Sequence, residues 1–144
     1  MSENIVKLEY NVDGEDFTSA GEASSNVKTV LKQLGIDSQI IRRVSIIMYE
    51  GEINMVIHAH GGKAIVELSP HKITIVLKDN GPGIADIELA MQEGYSTAPD
   101  NVRTLGFGAG MGLPNMKKYA DEMVVESAVG EGTTITMSVN IKEN

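Results

Sequence analysis

Two short apolar runs, AIVEL (64–68) and ITIVL (73–77), stand on either side of the tetrapeptide SPHK. Runs of this length, rich in β-branched residues and separated by a proline-containing segment, predict two strands joined by a short turn. The second run leads directly into KDNGPG (78–83), so an acidic residue, Asp79, stands at the tip of a strand and is followed by two glycines around a proline. A chain with this pair at its centre has to build a sheet and cover one of its faces.

The remaining elements follow from hydrophobic periodicity and from capping residues. Residues 4–12 alternate apolar and polar side chains and predict a half-buried strand. Helical spacing predicts a helix from an N-cap at Asp16 to Gly35, and a second helix from Asp37 to about residue 59, ended by Gly61-Gly62. The later elements are a short helix over 84–91, a long, glycine-rich and mobile segment over 93–112, a helix over 113–120, and a closing hairpin of strands 123–127 and 133–141.

This order of elements predicts an α/β (α+β) two-layer sandwich, with one mixed, largely antiparallel sheet covered on one face by helices. The 144 residues fit a single domain, 1–144, and contain no repeat or linker.

Composition excludes several classes of function. The formal charge of −8 would repel DNA and anionic membranes, and 4% aromatic residues with no Trp give no stacking platform for single-stranded nucleic acid. A polyanion can still be bound where backbone donors and a divalent cation compensate its charge. Absence of Cys excludes disulfides and thiolate metal sites and fits the cytoplasm, and neither a signal peptide nor an apolar run of about 20 residues is present.

The second predicted helix carries a carboxylate and an amide on one face. Glu50 and Asn54 are four positions apart (i, i+4) and therefore project from the same side. Taken alone, they are better interpreted as solvated residues on an amphipathic helix. At a cleft, Glu50 could instead take a proton from a nucleophile, and the amide oxygen of Asn54 is a hard ligand for Mg²⁺.

Asp79 also has two interpretations. It could make a local turn bond, or it could accept a hydrogen bond from a ligand, with Gly81 and Gly83 allowing close approach of the backbone. The run GFGAGMG (106–112) has a glycine at every second position, which fits neither a Rossmann nor a P-loop spacing. It leads into a helix, whose free amides can bind phosphate, although a flexible loop is equally compatible.

Other chemistry is disfavoured by spacing. His58 and His60 are two residues apart and do not share a helix face, so a zinc site is improbable. Ser96 and Thr97 have no nearby His and no G-x-S-x-G elbow, so a hydrolase triad is set aside.

The order of these motifs is more specific than any one of them. Glu50-x-x-x-Asn54, Asp79-x-Gly81-x-Gly83, Gly108-x-Gly110-x-Gly112 and Gly132-Thr133-Thr134 resemble the N, G1, G2 and G3 boxes of the gyrase/chaperone/histidine-kinase/MutL (GHKL) ATPase superfamily, which has the Bergerat fold. The resemblance extends from about Asp37 to Val139. Within the superfamily, the chain is most similar to the small bacterial serine/threonine kinases of the anti-sigma factor and stressosome-switch types.

The resemblance implies a role for each matching residue. Glu50 would be the general base, Asn54 the Mg²⁺ ligand, and Asp79 the acceptor for the adenine amino group. The implied nucleotide-binding set comprises Asn54, Asp79, Gly81, Gly83, Ile84, Arg103, Gly108, Gly110, Met111, Gly112, Leu113, Thr133 and Thr134, with Arg103 a candidate for the γ-phosphate. ATP and Mg²⁺ would be the cofactors.

The implied function is phosphorylation of a Ser or Thr on a STAS-domain antagonist protein, regulating transcription by partner switching. A sigma factor is a further candidate partner, and a homodimer is compatible with the resemblance. The alternative is a nucleotide-gated binding module without phosphotransfer. Two departures stand out: Gly51, which costs a helix up to roughly 1 kcal/mol, and Glu52, which we expect to face away from the metal. The additional GFGA lengthens the glycine run.

Overall fold

The protein is described from a computed structural model, which describes residues 6–13, 21–58, 61–79, 81, 91 and 112–141. Its elements are β1 (Val6–Asp13), α1 (Glu22–Gln33), α2 (Ser38–His58), β2 (Gly61–Leu68), β3 (Lys72–Lys78), α3 (Gly112–Tyr119), β4 (Glu122–Ala128) and β5 (Gly132–Asn140). These bounds agree with the predicted elements to within a few residues, except at the start of α1. The helix predicted over 84–91 and the segment 93–111 lie outside the described residues, apart from position 91.

The five strands form one sheet in the order β1-β2-β3-β5-β4. Each of the four pairings is antiparallel, and β2 and β3 are joined by the predicted short turn, in which Ser69 accepts and donates hydrogen bonds to Lys72. The predicted two-layer α/β sandwich is confirmed. The described strands make an antiparallel sheet and include none of the parallel pairings that a mixed sheet allows.

The core lies between one face of the sheet and the three helices. Alternate residues of the central strands are buried on that face, because successive side chains of a strand point to opposite sides. The buried strand residues are Ala64, Val66, Leu68, Ile73, Ile75, Leu77, Ile135, Met137 and Val139, and they meet Val27, Leu31, Val44, Ile47, Met48 and Met116 of the helices. The other face carries residues such as Thr74, Val76 and Thr136, which are only partly buried.

Local capping signals set most of the helix ends. Gly35 has φ 73°, and Ile36 and Gly35 donate to the carbonyls of Leu31 and Lys32, which is the Schellman arrangement that a C′ glycine permits. Asp37 caps α2, as predicted, because its carboxylate accepts the amide of Gln39 at 3.0 Å.

The predicted start of α1 at Asp16 is wrong. The helix begins at Glu22, and its N-cap residue is Gly21, which has φ 102° and no side chain to offer. The acceptor comes instead from α2. The carboxylate of Glu52 accepts the amides of Gly21 at 2.8 Å, Ala23 at 3.3 Å and Ser24 at 2.6 Å. Glu52 is 2% exposed, so it acts as a buried cap whose carboxylate is directed to α1.

Gly51, the other departure noted in the sequence, has a packing reason. A Cβ placed on Gly51 would overlap Cδ1 of Leu77 in β3. Real Cβ atoms do not approach other atoms so closely, so any other residue at position 51 would force the buried Leu77 side chain to move. The helix propensity lost at Gly51 therefore accompanies a close helix–strand contact beside Glu50.

Candidate functional site

Glu50 lies at the contact between α2 and α3. Its side chain is half-buried, and its Oε1 accepts a hydrogen bond from Nδ2 of Asn115 at 3.3 Å. Burial raises the pKa of the Glu50 carboxyl above its usual value of 4.5, because the charged form loses hydration, and the bond from Asn115 opposes that rise in pKa. The result is a carboxylate with raised basicity, whose side-chain donor among the described residues is Asn115.

The two helices run antiparallel where they touch. Nε of Arg43 donates to the carbonyl of Tyr119 at 2.9 Å, and the same guanidinium pairs with Asp121 at 3.1 Å. These contacts fasten the C-terminal end of α3 to the first half of α2. The N-terminal end of α3, where the glycine run leads in, is therefore directed toward the half of α2 that carries Glu50 and Asn54.

Asp79 stands at the end of β3, beside the start of β5. Its backbone amide donates to the carbonyl of Thr133 at 3.0 Å, and its Oδ1 accepts the amides of Gly81 at 2.9 Å and Thr133 at 3.2 Å. The local turn bond weighed in the sequence is therefore present. Within the described residues, both hydrogen bonds to the carboxylate go to Oδ1, so the turn leaves Oδ2 outside this network.

Gly62 connects the Asp79 region with α2. A Cβ placed on Gly62 would lie 2.5 Å from the carbonyl oxygen of Lys78, 3.0 Å from Sδ of Met55 and 3.1 Å from Cβ of Asp79. Met55 directly follows Asn54 in α2. The absence of a side chain at Gly62 therefore lets the end of α2 and the tip of β3 come together.

Thr133 and Thr134, both in the implied nucleotide-binding set, lie on opposite faces of β5. Thr133 is 7% exposed and shares its face with the core residues Ile135 and Met137. Its hydroxyl lies 2.8 Å from that of Ser127. Thr134 is paired with Lys78 and with Glu126 on the other face of the sheet. The structure thus brings Thr133, and not the side chain of Thr134, to Asp79.

The described residues account for part of the predicted site. Glu50, Asn54, Asp79, Gly81, Gly112, Leu113, Thr133 and Thr134 are described, and Leu113 is buried in the core at the start of α3. Gly83, Ile84, Arg103, Gly108, Gly110 and Met111 lie outside the described residues. In the part of the chain that is described, His, Cys, Asp and Glu form no group of three that could hold a metal ion.

Residues 20–143 match the protein family described as histidine kinase-, DNA gyrase B- and HSP90-like ATPase. This chain belongs to that family. The resemblance inferred from the four motifs is confirmed, since the match covers all of them.

Within this ATPase family, several relatives of similar length are named as anti-sigma factors or as a serine/threonine kinase. The anti-sigma F factor of Clostridium novyi is 32% identical over 148 residues, covering 99% of this chain and 98% of that protein. The anti-sigma F factor of Caldanaerobacter subterraneus is 34% identical, covering 95% and 99%. The serine/threonine-protein kinase RsbT of Bacillus subtilis is 32% identical over 124 residues, covering 83% and 85%.

Solved structures show the same ATPase-family fold. A Mycobacterium tuberculosis protein with RsbU and RsbW domains superposes with a TM-score of 0.62 at 16% identity, over 96% of this chain and 33% of that longer one. The mycobacterial sensor histidine kinase MprB gives a TM-score of 0.54 at 17% identity, over 96% of this chain and all of that one. At these identities the likeness concerns the fold alone.

Sequence reasoning missed three residues around the candidate site: Asn115, Gly62 and Glu52. Gly62 was interpreted only as a helix stop, although a Gly-Gly pair before a strand is also a signal of close backbone approach. Glu52 was noted as unusual, but its partners lie 28 to 31 residues earlier. Asn115 lies 65 residues from Glu50, and no spacing rule connects them.

No helix in the described part of the chain is both long enough and apolar enough to span a membrane.

Proposed function

We propose that this chain is an ATP-dependent protein serine/threonine kinase of the anti-sigma factor/switch type. The observation that best supports the proposal is the environment of Glu50, a half-buried carboxylate with a raised pKa on the face of α2 next to α3. A module that only binds nucleotide needs no base, whereas transfer to a hydroxyl does. The names of its relatives agree with this branch of the family.

In the proposed reaction each described residue has a separate task. Asp79 accepts a hydrogen bond from the adenine amino group at Oδ2, while Thr133 and Gly81 hold Oδ1 through their backbone amides. Asn54 supplies an amide oxygen to Mg²⁺, a cation that prefers oxygen ligands. The glycines 108, 110 and 112 and Arg103 are proposed for the phosphates. A carboxylate for the adenine amino group, an amide oxygen for Mg²⁺ and backbone amides for the phosphates are the groups that Mg-ATP requires. The bound nucleotide supplies the phosphoryl group.

Glu50 carries the chemical step. It accepts the proton of a Ser or Thr hydroxyl on the partner as that oxygen bonds to the γ-phosphorus and the bond to ADP breaks. Positioning and charge neutralisation supply most of the remaining rate enhancement. We propose a STAS-domain antagonist protein as the acceptor and a sigma factor as a second partner, which together place the protein in the cytoplasm and make it a regulator of transcription.

A nucleotide-gated binding module is the second candidate. It is favoured by one finding: several relatives carry the name anti-sigma factor, which describes binding and not catalysis. In that case ATP would alter partner affinity, and no phosphoryl group would move. Incubating the chain with γ-labelled ATP, Mg²⁺ and the STAS-domain proteins of its source genome separates the two. Label on a STAS protein supports the kinase, and nucleotide-dependent complex formation without label supports the module.

The nucleotide site is tested by Asp79→Asn. An amide in place of the carboxylate presents a donor to the adenine amino group, so we expect at least a 100-fold loss of ADP affinity measured by calorimetry, about 2.7 kcal/mol. Glu126→Gln is the matched control, because it removes one negative charge from an exposed position in β4, which is separated from β3 by β5. Unchanged ADP binding by Asp79→Asn would remove Asp79 from the adenine site.

A further inference from the structure

Asn115 is the side chain that the motif analysis did not use and that nevertheless touches the proposed base. It lies in the first half of α3, and its Nδ2 is 3.3 Å from Oε1 of Glu50. A carboxylate can only accept, so the Asn115 amide must direct its NH₂ group, and not its oxygen, toward Glu50. The direction of this hydrogen bond is therefore dictated by chemistry.

Within the described residues, Asn115 holds only Oε1 of Glu50, which leaves Oε2 for the reaction. A carboxylate has two oxygens, and an ionised base needs one of them for the incoming hydroxyl proton. By holding Oε1, the amide of Asn115 fixes the rotation of the carboxylate about its last torsion, which is otherwise broad. Oε2 then faces a defined direction.

The hydrogen bond to Glu50 is one of two hydrogen bonds that connect α3 with α2 within the described residues. The C-terminal end of α3 is fastened by Arg43, through Tyr119 and Asp121. The N-terminal end of α3 begins at Gly112, so Asn115 lies between the helix start and the fastened end and contacts Glu50 from there.

We propose that Asn115 is a positioning residue that orients the Glu50 carboxylate from the first half of α3. The inference rests on the proposed function, since it presupposes that Glu50 is the base. It assigns to Asn115 no contact with substrate or nucleotide. Its effect passes through Glu50 alone.

A double-mutant cycle tests this coupling. Single-turnover loss of label from γ-labelled ATP, to a STAS acceptor or to water, is measured for wild type, Asn115→Ala, Glu50→Gln and the double variant, together with ADP affinity. We expect Asn115→Ala to slow turnover by about tenfold with ADP affinity unchanged within twofold. In the Glu50→Gln background, the same substitution should have no further effect, because the oriented base is already absent.

Two further variants keep the test decisive. Asn115→Asp preserves the size of the side chain but replaces the donor by an acceptor, so it should slow turnover as well. Asn26→Ala removes another side-chain amide, whose Oδ1 accepts a hydrogen bond from the hydroxyl of Tyr10 at 2.6 Å, and should leave turnover unchanged. Urea denaturation identifies any variant that is less folded.

Each outcome decides between the claims. Glu50-dependent turnover that Asn115→Ala and Asn115→Asp leave unchanged would overturn the inference and leave the proposed function intact. The inference would also be overturned if Asn115→Ala slowed turnover by the same factor in the wild-type and Glu50→Gln backgrounds. A decrease in turnover that matched a decrease in ADP affinity would overturn it as well. Turnover that is absent from wild type, or that Glu50→Gln leaves unchanged, would overturn the proposed function and this inference together.

Discussion

At the scale of single residues, the protonation of Glu50 is the property that most directly connects structure with activity. Burial raises the pKa of this carboxyl above 4.5, and the hydrogen bond from Asn115 lowers it in part. A general base works only in its ionised form. As the pH falls through the raised pKa, the ionised fraction and the rate of phosphotransfer should fall together.

A pH–rate profile checks this expectation. The midpoint of the acid limb should lie above 4.5, and Asn115→Ala should move it further upward, because the interaction that lowers the pKa is lost. ADP binding, measured over the same pH range, controls for acid unfolding. A rate that stays constant down to pH 4.5, or a midpoint that moves downward in Asn115→Ala, would contradict the assignment.

The residue scale also shows where sequence reasoning ends. Glu50 and Asn54 were found because their spacing of four is a local property of one helix. Asp79 was found because it lies in a contiguous sequence motif, Asp79-x-Gly81-x-Gly83, directly after a predicted strand. Which of Thr133 and Thr134 lies on the core face depends on the orientation of β5 in the sheet. The contact of Asn115 with Glu50 depends on how α2 and α3 pack. Neither can be predicted from local residue spacing.

At the scale of elements, Glu52 connects α1 and α2, although the capping residues in the sequence predict the ends of each helix separately. The first amides of a helix have no partner inside it, and a negative charge is favourable at that end. Glu52 satisfies three of these amides from α2. The cap at Asp37 and the glycine at 35 could be predicted because each acts on its own helix, whereas the start of α1 is set by a residue in the next one.

Removing this buried cap should destabilise the protein. Glu52→Ala leaves three amides without their acceptor, and we expect the free energy of unfolding to fall by about 2–4 kcal/mol. Glu22→Gln is the control, because Glu22 is an exposed acid in the first turn of the same helix and should change stability by less than about 0.5 kcal/mol. Urea denaturation measures both.

Comparison of the two variants shows whether the buried cap contributes to stability. If Glu52→Ala and Glu22→Gln were equally mild, the hydrogen bonds from α1 to Glu52 would contribute little to stability. Because Glu52 lies two residues from Glu50, its loss should also disturb the proposed site, and phosphotransfer by Glu52→Ala should be compared only at denaturant-free conditions where the variant is folded.

At the scale of the whole molecule, the two-layer sandwich could be predicted because its strands and helices show clear periods and its turns carry Gly, Pro and Asp. The regular hydrophobic pattern says which face of each element is buried. It does not say which strands are neighbours: the order β1-β2-β3-β5-β4 places the last strand inside the sheet and the preceding one at its edge. That exchange brings the start of β5 beside Asp79, and so it also builds the candidate site.

The same arrangement explains how an acidic chain can hold a polyanion. With a formal charge of −8, the protein has no general attraction for phosphate. Its proposed nucleotide site relies on backbone amides at the start of α3 and on a cation held by Asn54. The single-domain and homodimer expectations remain predictions at this scale.

The central claim is that Glu50 is needed for phosphoryl transfer and not for nucleotide binding. One comparison tests this claim most directly. Wild type and Glu50→Gln are each mixed with γ-labelled ATP, Mg²⁺ and the STAS-domain acceptor, and transfer is measured beside ADP affinity. The account predicts that Glu50→Gln loses transfer by roughly 10²–10⁴-fold while ADP affinity stays within about threefold. Transfer by Glu50→Gln at the wild-type rate would contradict it.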